Sequence, residues 1–412
     1  MSVFRNTSFV RFFVAITVSG FGSQVSTVAI PLVAILALDA SAIELSLVTA
    51  MQFAPIYVVT PVAGVIADRY PTKFVNGLCD VLRGVLSLSV PTFFLLGWLT
   101  LPLLCAMALV LGSLKALADV AQHSMLPNIV PPEKLVPGNA AINTSYSVKE
   151  IVGPSLGGVL VQAFSAPFAL IADGIGFLSS GALILTLSTR HVRAKSALAG
   201  RNWYSLVGDG FRFLKKEQRL LWLGICGGVS NFLTFTYLGV FSLYVIRDLG
   251  LAPLALGLSL GMGAVGGILG ANVARFVRAK LPLAKTLLVA EFVGGGGIAI
   301  LALASLMTSD PGKIAVLIVG MFVYSFAMAV YNVYSMSTRQ RLVPADMLGR
   351  VTASYRLMSH GAIPLGALVG GVLAGPLGLP ALVALSGGSI AIWALVLTRT
   401  PFRQLDSVTE NE

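Results

Sequence analysis

Long apolar runs separated by short polar gaps extend from residue 12 to residue 398. A helix needs about 20 apolar residues to cross the roughly 30 Å hydrocarbon core of a bilayer. The alternating segments of about ten residues that form a membrane β-barrel are absent. The pattern predicts twelve membrane-spanning helices, at residues 12–37, 44–66, 74–98, 101–122, 139–163, 166–187, 220–246, 252–274, 283–307, 313–337, 350–374 and 378–398.

The composition excludes most soluble proteins. Of the 412 residues, 56% are hydrophobic and 11% are charged, whereas soluble domains carry about 25% charged residues. A soluble enzyme, a nucleic-acid-binding protein and a disordered regulator are therefore disfavoured. The net charge of +11 does not alter this, because the Lys and Arg residues lie in gaps between apolar runs and form no basic stripe. No Cys/His spacing typical of a metal site occurs.

The placement of Lys and Arg predicts the orientation of the chain. Short cytoplasmic loops of membrane proteins carry an excess of these residues. If the N-terminus is cytoplasmic, nearly all loop Lys and Arg lie on the cytoplasmic side, and Arg247 and Lys313 lie opposite. We therefore expect a multi-pass protein of the cytoplasmic (inner) membrane with both termini in the cytoplasm. The first apolar run is interpreted as a span rather than as a cleaved signal.

The two halves of the chain repeat each other. The segment 130–135, VPPEKL, returns as VPADML at 343–348, and GPSLGGVL at 153–160 returns as GALVGGVL at 366–373. Both pairs are 213 residues apart, so span five corresponds to span eleven. A basic segment divides the halves. The predicted domains are a six-helix bundle at 1–188, a cytoplasmic linker at 189–219, a second six-helix bundle at 220–400 and a cytoplasmic tail at 401–412.

Two motifs resemble signatures of the major facilitator superfamily. The end of span two and the loop after it are similar to G-x-x-x-D-R-x-x-x-K, at Gly64, Asp68, Arg69 and Lys73. In that family it forms a cytoplasmic latch; the alternative is ordinary interfacial charge. Span five carries the G-P-x-x-G-G core of the family's exporters, which could also be a generic packing seam of small residues. Its residues are Gly153, Pro154, Gly157 and Gly158, and Lys149 replaces the usual upstream glycine.

A weaker similarity concerns span four and the loop that follows it. Lys115 lies where drug exporters of the family commonly carry an arginine, which leaves a proton-relay role for it in doubt. The loop 126–140 and residues 172–177 are similar to the branch that contains macrolide exporters and the enterobactin exporter. The resemblance implies twelve helices in two pseudo-symmetric six-helix bundles, which rock about a central substrate site.

The same resemblance implies secondary transport. We expect proton-coupled efflux of a small amphiphilic molecule, either a siderophore or a drug, by a monomer that contacts lipid and no nucleic acid. Uptake or facilitated passage of a small metabolite is an alternative. A membrane enzyme is a remote alternative, because no catalytic or phosphate-binding motif and no metal site occurs. No cofactor is expected, since the proton gradient supplies the driving force.

Acids within the apolar runs are candidates for proton coupling. An ionisable group in the bilayer is costly and therefore suggests a function. Asp119 and Glu150 are the first candidates and Asp173 is the third. Asp80 can pair locally with Arg83, three residues on, and Lys115 with Asp119, four residues on. Glu291 lies in span nine, a helix expected near the lipid, so a structural role is expected for it.

Polar and aromatic residues in spans one, four, seven and ten are candidates for substrate contact. In the family these spans line the cavity, and aromatic faces with a few amides suit an amphiphilic molecule. Each of these residues could equally serve packing. The candidates are Gln24, Lys115, Asn231, Phe235, Tyr237, Tyr324, Tyr331 and Asn332.

Overall fold

The structure is a computed structural model. It describes residues 3–55, 59, 63, 66, 70–123, 125–187, 203–278, 280–344 and 347–408. Within these ranges the regular secondary structure is entirely helical. The chain forms two compact units, the first from residues 1–199 with 252–261, and the second from 200–251 with 262–412.

Unit 1 contains the first six long helices. Asn6 begins the first of them, because its side chain accepts hydrogen bonds from the backbone N–H groups of Ser8 and Phe9. That helix continues into a π-helical turn at Val33–Ala37. The helices are α1 (Thr7–Leu32), α2 (Ala42–Phe53), α3 (Thr72–Leu95), α4 (Leu101–His123), α5 (Leu135–Phe164) and α6 (Ala166–Leu185).

Unit 2 contains most of the remaining helices. The first turns of α9 belong to unit 1 and the rest of that helix to unit 2. A π-helical turn at Tyr244–Asp248 follows α8, as one follows α1. The helices are α7 (Trp203–Lys216), α8 (Gln218–Leu238), α9 (Pro253–Arg278), α10 (Leu283–Ala302), α11 (Asp310–Leu342), α12 (Leu348–His360), α13 (Ile363–Leu377) and α14 (Leu379–Leu397).

Ten helices in the described ranges are long and apolar enough to cross a membrane. Two of the twelve predicted spans are not among them. The fifth corresponds to α5, which has 30 residues but carries Lys149 and Glu150 in its middle. The second begins with the shorter apolar helix α2, and most of the rest of it lies outside the described residues. The chain is an all-α, multi-pass membrane protein, as predicted.

The helix bounds reproduce the repeat found in the sequence. Helix α5 runs from Leu135 to Phe164, and α12 with α13 runs from Leu348 to Leu377, so both ends are displaced by 213 residues. The junctions that follow correspond as well. Ser165 has φ 72° and Gly378 has φ 75°, and each precedes the next helix directly. The two halves therefore share the backbone path at this corner, not only the sequence motif.

The segment after α14 is packed against unit 2. Within the predicted cytoplasmic tail, residues 401–412, Pro401–Val408 forms a 3-10 helix. Phe402 and Leu405 are fully buried in the core of unit 2. Asp406 accepts a hydrogen bond of 2.8 Å from the backbone N–H of Ala284, in the first turn of α10. The segment thus closes one end of unit 2.

The basic segment between the halves is described only in part. Residues 188–202 of the predicted linker lie outside the described residues. Helix α7, which follows them, packs against α12, because Gly210 lies directly on the backbone of Arg350. Leu214 of α7 is fully buried in the core of unit 2. The separate linker at 189–219 stays a prediction.

Candidate functional site

A cavity of about 160 Å³ lies within unit 1, among α1, α2, α3, α4 and α6. Two of the predicted substrate contacts, Gln24 and Lys115, line it. Polar side chains of α1 form one wall, and the others include an aromatic ring and an arginine. The lining residues are Ser23, Gln24, Ser26, Thr27, Ile30, Gln52, Phe53, Arg83, Leu111, Gly112, Lys115 and Phe177.

Arg83 is held at the cavity wall by three partners. Its guanidinium donates a hydrogen bond of 2.8 Å to Ser23 Oγ and lies 3.5 Å from a carboxylate oxygen of Asp80. Its central carbon lies 3.8 Å from the ring centre of Phe177. Ser180 donates a hydrogen bond of 2.7 Å to the other Asp80 oxygen. The predicted Asp80–Arg83 pair is confirmed, and two further helices fix its orientation.

Asp173 is fully buried beside the same cavity. One of its oxygens, Oδ2, accepts hydrogen bonds from Ser26 and, at 2.9 Å, from Ser87. Its other oxygen, Oδ1, lies against Gly22 and has no hydrogen-bond partner among the described residues. The hydroxyl of Ser26 therefore binds Asp173, while the Ser26 residue also lines the cavity. One side chain separates this carboxyl group from the cavity.

The other two coupling candidates lie in more open places. Asp119 forms the predicted pair with Lys115 at 3.2 Å, and both side chains are about half exposed. Glu150 is exposed, while its neighbour Lys149 is buried. The three predicted acids thus do not share one site, and desolvation is complete only at Asp173.

The glycines of the exporter-like motif lie in close helix contacts of unit 1. A Cβ atom at Gly157 would lie 3.2 Å from Val25 Cα of α1, and one at Gly153 would overlap the side chain of Gln24. A Cβ at Gly158 would lie 2.7 Å from the carbonyl oxygen of Pro253, at the start of α9. Pro154 lies inside α5 and does not end it. The small residues let neighbouring backbones approach.

Lys149 occupies the position that the motif usually gives to glycine. Its side chain is 4% exposed, and its ammonium donates a hydrogen bond of 3.1 Å to the carbonyl of Ile16 in α1. The ammonium nitrogen also lies 4.0 Å from the ring centre of Tyr146. Space for the lysine stem comes from Gly20, where any Cβ would overlap it. A glycine in α1 thus compensates for the missing glycine in α5.

The latch-like motif falls largely outside the described residues. Gly64, Asp68 and Arg69 lie there, so their role stays a prediction. Lys73, at the start of α3, donates a hydrogen bond of 3.1 Å to the carbonyl oxygen of Leu187, just beyond α6. Its nitrogen lies 5.1 Å from the ring centre of Phe74.

The remaining substrate candidates belong to unit 2 and differ in environment. Tyr237 is fully buried, with its ring edge-on to Phe241, and Tyr331 is 5% exposed. Asn231 donates a hydrogen bond of 2.9 Å to the carbonyl oxygen of Ser359. Phe235 and Tyr324 are half-buried, and Asn332 is exposed. Their part in substrate contact stays a prediction.

Glu291 is buried, although its helix was expected near the lipid. The carboxyl group is 1% exposed, and it accepts hydrogen bonds from Ser230 and Cys226 of α8. The signal available in the sequence was an acid inside an apolar run. The sequence did not reveal that this acid lies on the buried face of α10.

Comparison with known proteins decides the family. The sequence model of the Major Facilitator Superfamily matches residues 12–367. The chain belongs to the Major Facilitator Superfamily. It is therefore a transporter and not an enzyme, which confirms the resemblance of its motifs. A multi-pass membrane location also follows.

Two curated relatives are similar along most of the chain. The multidrug efflux pump Tap of Mycolicibacterium fortuitum is 27% identical over 408 residues, which cover 96% of each protein. The uncharacterized MFS-type transporter YvqJ of Bacillus subtilis (strain 168) is 25% identical over 350 residues, which cover 84% of this chain and 81% of YvqJ. At least one relative of this chain is thus an efflux pump.

Solved structures share the fold. A bacterial homologue of the iron transporter ferroportin, in an inward-facing state, gives a TM-score of 0.72 at 18% identity, covering 99% of this chain and 100% of the homologue. The nucleoside transporter NupG gives a TM-score of 0.72 at 13% identity, covering 96% and 100%. At such low identity the similarity defines the architecture alone.

Proposed function

We propose that this chain is a secondary active exporter of small amphiphilic molecules, driven by proton antiport across the cytoplasmic membrane. The observation that carries the proposal is Asp173, a fully buried carboxyl group joined through Ser26 to a cavity lined by Phe177 and several polar side chains. The similarity to Tap supports efflux and a drug-like substrate.

Charge competition at Asp173 provides the coupling. A buried carboxylate without a cation is unstable, so the empty site favours the protonated carboxyl group. A cationic amphiphile in the cavity favours the ionised form instead, and the proton then leaves. Protonation from the outside removes this attraction and releases the cation. Proton and substrate thereby exclude each other, which antiport requires.

The cavity suits an amphiphile rather than a simple ion. Phe177 and Phe53 offer apolar and aromatic surface, while Gln24, Gln52 and Thr27 offer hydrogen bonds. Arg83 is already bound to Asp80, and Lys115 to Asp119, so neither adds an unpaired positive charge to the site. A planar cation can therefore stack against the aromatic wall without meeting a net positive pocket.

Transport in proteoliposomes tests the function. The purified protein is reconstituted, a pH gradient is imposed, and movement of ethidium, erythromycin and enterobactin is followed in separate assays. We expect accumulation of at least the cationic probe ethidium on the acidic side. Transport of enterobactin alone would make the exported class a siderophore. Movement of the probes that ignores the proton gradient would overturn proton antiport.

Direction and orientation need a separate test. We propose that both termini lie in the cytoplasm, in agreement with the distribution of Lys and Arg. A reporter that matures only in the cytoplasm is fused after residue 412. We expect it to be active, and an inactive reporter would overturn the proposed orientation. Inward movement of the probes would favour the alternative of metabolite uptake.

A further inference from the structure

A second carboxyl group is buried in unit 2. Glu291, in α10, is 1% exposed. Ser230 Oγ donates a hydrogen bond of 2.8 Å to one carboxylate oxygen, and Cys226 Sγ donates one of 3.6 Å to the other. Both donors lie on α8, four residues apart, so they occupy one face of that helix. The two oxygens of Glu291 are thus held separately by two side chains of one neighbouring helix.

Close packing on both sides of α10 keeps this group away from lipid and water. A Cβ at Gly295 would lie 2.6 Å from the carbonyl oxygen of Gly387 in α14. A Cβ at Gly297 would lie 2.6 Å from the backbone nitrogen of Tyr324 in α11. Because glycine lets the backbones approach, α10 packs closely between α11 and α14, and Glu291 lies inside the unit.

The described surroundings of Glu291 provide no compensating positive charge. In the ranges that the structure describes, no Lys, Arg or His forms an ion pair with it. The titratable groups that face it are neutral acids, namely the thiol of Cys226 on α8 and the phenols of Tyr324 and Tyr331 on α11 and of Tyr355 on α12. The guanidinium of Arg339 lies over the ring of Tyr355, with its central carbon 3.9 Å from the ring centre.

The environment of Glu291 can hold the ionised and the protonated carboxyl group, but the two forms differ in free energy. An ionised carboxylate in an apolar interior loses its hydration and regains only part of it from two donors. The protonated group is neutral: its carbonyl oxygen still accepts one of these hydrogen bonds, and its hydroxyl can donate to the serine oxygen or the thiol sulfur. A structural role alone does not require an acid here, because glutamine would supply a carbonyl acceptor and an amide donor without the cost of a buried charge.

Asp173 in unit 1 has a similar arrangement. It is also fully buried, and it also binds a serine hydroxyl from the first long spanning helix of its unit, Ser26 of α1. Glu291 binds Ser230 from α8, the corresponding helix of unit 2. Asp173 lies in α6 and Glu291 in α10, and their side chains differ in length. The similarity between them is therefore one of chemistry and does not arise from the sequence repeat.

We propose that Glu291, with Ser230 and Cys226, is a second proton-binding site, so that a proton is loaded and released in each unit during transport. The binding of a proton at Glu291 is independent of what is transported. Its place in the transport cycle rests on the proposed proton antiport.

Infrared difference spectroscopy tests proton binding without a substrate. The full-length protein is reconstituted in lipid vesicles, and spectra in acidic and alkaline buffer are subtracted. We expect carbonyl bands from protonated, buried carboxyl groups, one missing in Asp173→Asn and another missing in Glu291→Gln. A difference spectrum of Glu291→Gln identical to that of the parent would overturn the proposal.

Two milder variants keep the acid in place in case Glu291→Gln does not fold. Ser230→Ala removes the shorter hydrogen bond and is expected to move the Glu291 carbonyl band to higher frequency, whereas Ser230→Thr keeps a hydroxyl and leaves the band near its original place. Cys226→Ser provides a second control that retains a donor. A band that is unchanged in Ser230→Ala would contradict the assignment to Glu291.

Proton counting separates this proposal from the proposed function. In vesicles that transport ethidium, the number of protons moved per ethidium is expected to fall by about half in Glu291→Gln, because one of two sites is lost. An unchanged ratio of protons to ethidium would show that Glu291 takes no part in the transport cycle. If ethidium does not follow the pH gradient but the infrared band titrates, antiport is wrong and the proton site stands.

Discussion

The side chain of Lys149 in α5 packs against Gly20 in α1. It occupies the space that a side chain at position 20 would fill. The ammonium continues to the carbonyl oxygen of Ile16, one turn earlier in α1. The exporter-like motif carries lysine instead of its usual glycine at position 149, and a glycine on the other side of the contact lets the two helices approach.

This contact predicts coupled effects on stability. Gly20→Ala should lower the free energy of unfolding by about 1–3 kcal/mol, because overpacking forces the lysine out of place. In a Lys149→Ala background the same change should cost less, with a coupling of about 0.5–3 kcal/mol. Thermal unfolding of the four proteins in detergent measures this. Equal effects of Gly20→Ala in both backgrounds would contradict the contact.

Ser165 and Gly378 occupy corresponding junctions. Replacing the serine with glycine and the glycine with serine should have opposite effects on stability. Ser165 has φ 72° and ψ 162°, a conformation that is essentially restricted to glycine and costs other residues about 1–3 kcal/mol. Ser165→Gly should therefore raise the unfolding temperature, and Gly378→Ser should lower it, since Gly378 has φ 75°. Destabilisation by Ser165→Gly would mean that the serine side chain stabilises the protein by more than its backbone conformation costs.

Neighbouring glycines in α10 provide a matched pair. Gly295→Ala should destabilise the protein, by roughly 1–3 kcal/mol, because its Cβ would meet the backbone of α14. A Cβ at Gly296 would have no neighbouring atom within 4 Å, so Gly296→Ala should be neutral or mildly stabilising. The two variants are compared by thermal unfolding in the same detergent. Similar losses at both positions would contradict the tight contact between α10 and α14.

The C-terminal 3-10 helix should contribute to the stability of unit 2. Phe402→Ala removes a fully buried ring and should cost about 3–5 kcal/mol. Asp406→Ala removes the hydrogen bond to the first turn of α10 and should cost about 0.5–2 kcal/mol. Arg403→Ala is the control, because Arg403 is exposed. If removal of residues 401–412 leaves the unfolding temperature unchanged, the packing of this segment is unimportant for stability.

Neutralisation of the three candidate acids should affect transport unequally. Asp173→Asn keeps the shape of the side chain and removes its ionisable group, so ethidium movement driven by a pH gradient should be lost. Asp119→Asn and Glu150→Gln should retain it, because both residues are exposed. Thermal unfolding in detergent serves as the folding control. Retained coupling in Asp173→Asn, with loss in either other variant, would assign coupling to the more open acids.

The sequence by itself determined the features that arise from local geometry. Hydrophobic runs defined the helices, because only a helix satisfies its backbone within a bilayer. The repeat of 213 residues predicted the correspondence of α5 with α12 and α13, which the helix bounds confirm. Helical spacing also predicted the pairs Asp80–Arg83 and Lys115–Asp119, since residues three or four apart share a face.

Only the tertiary structure decided which face of each helix is buried and what it meets there. Ser26 binds Asp173 across 147 positions of the chain, and Ser230 binds Glu291 across 61. Spanning helices are apolar around most of their circumference, so hydropathy does not reveal their rotation. That rotation is set by the packing of glycines and side chains between helices, which is why the full burial of Asp173 and of Glu291 emerged only from the folded protein.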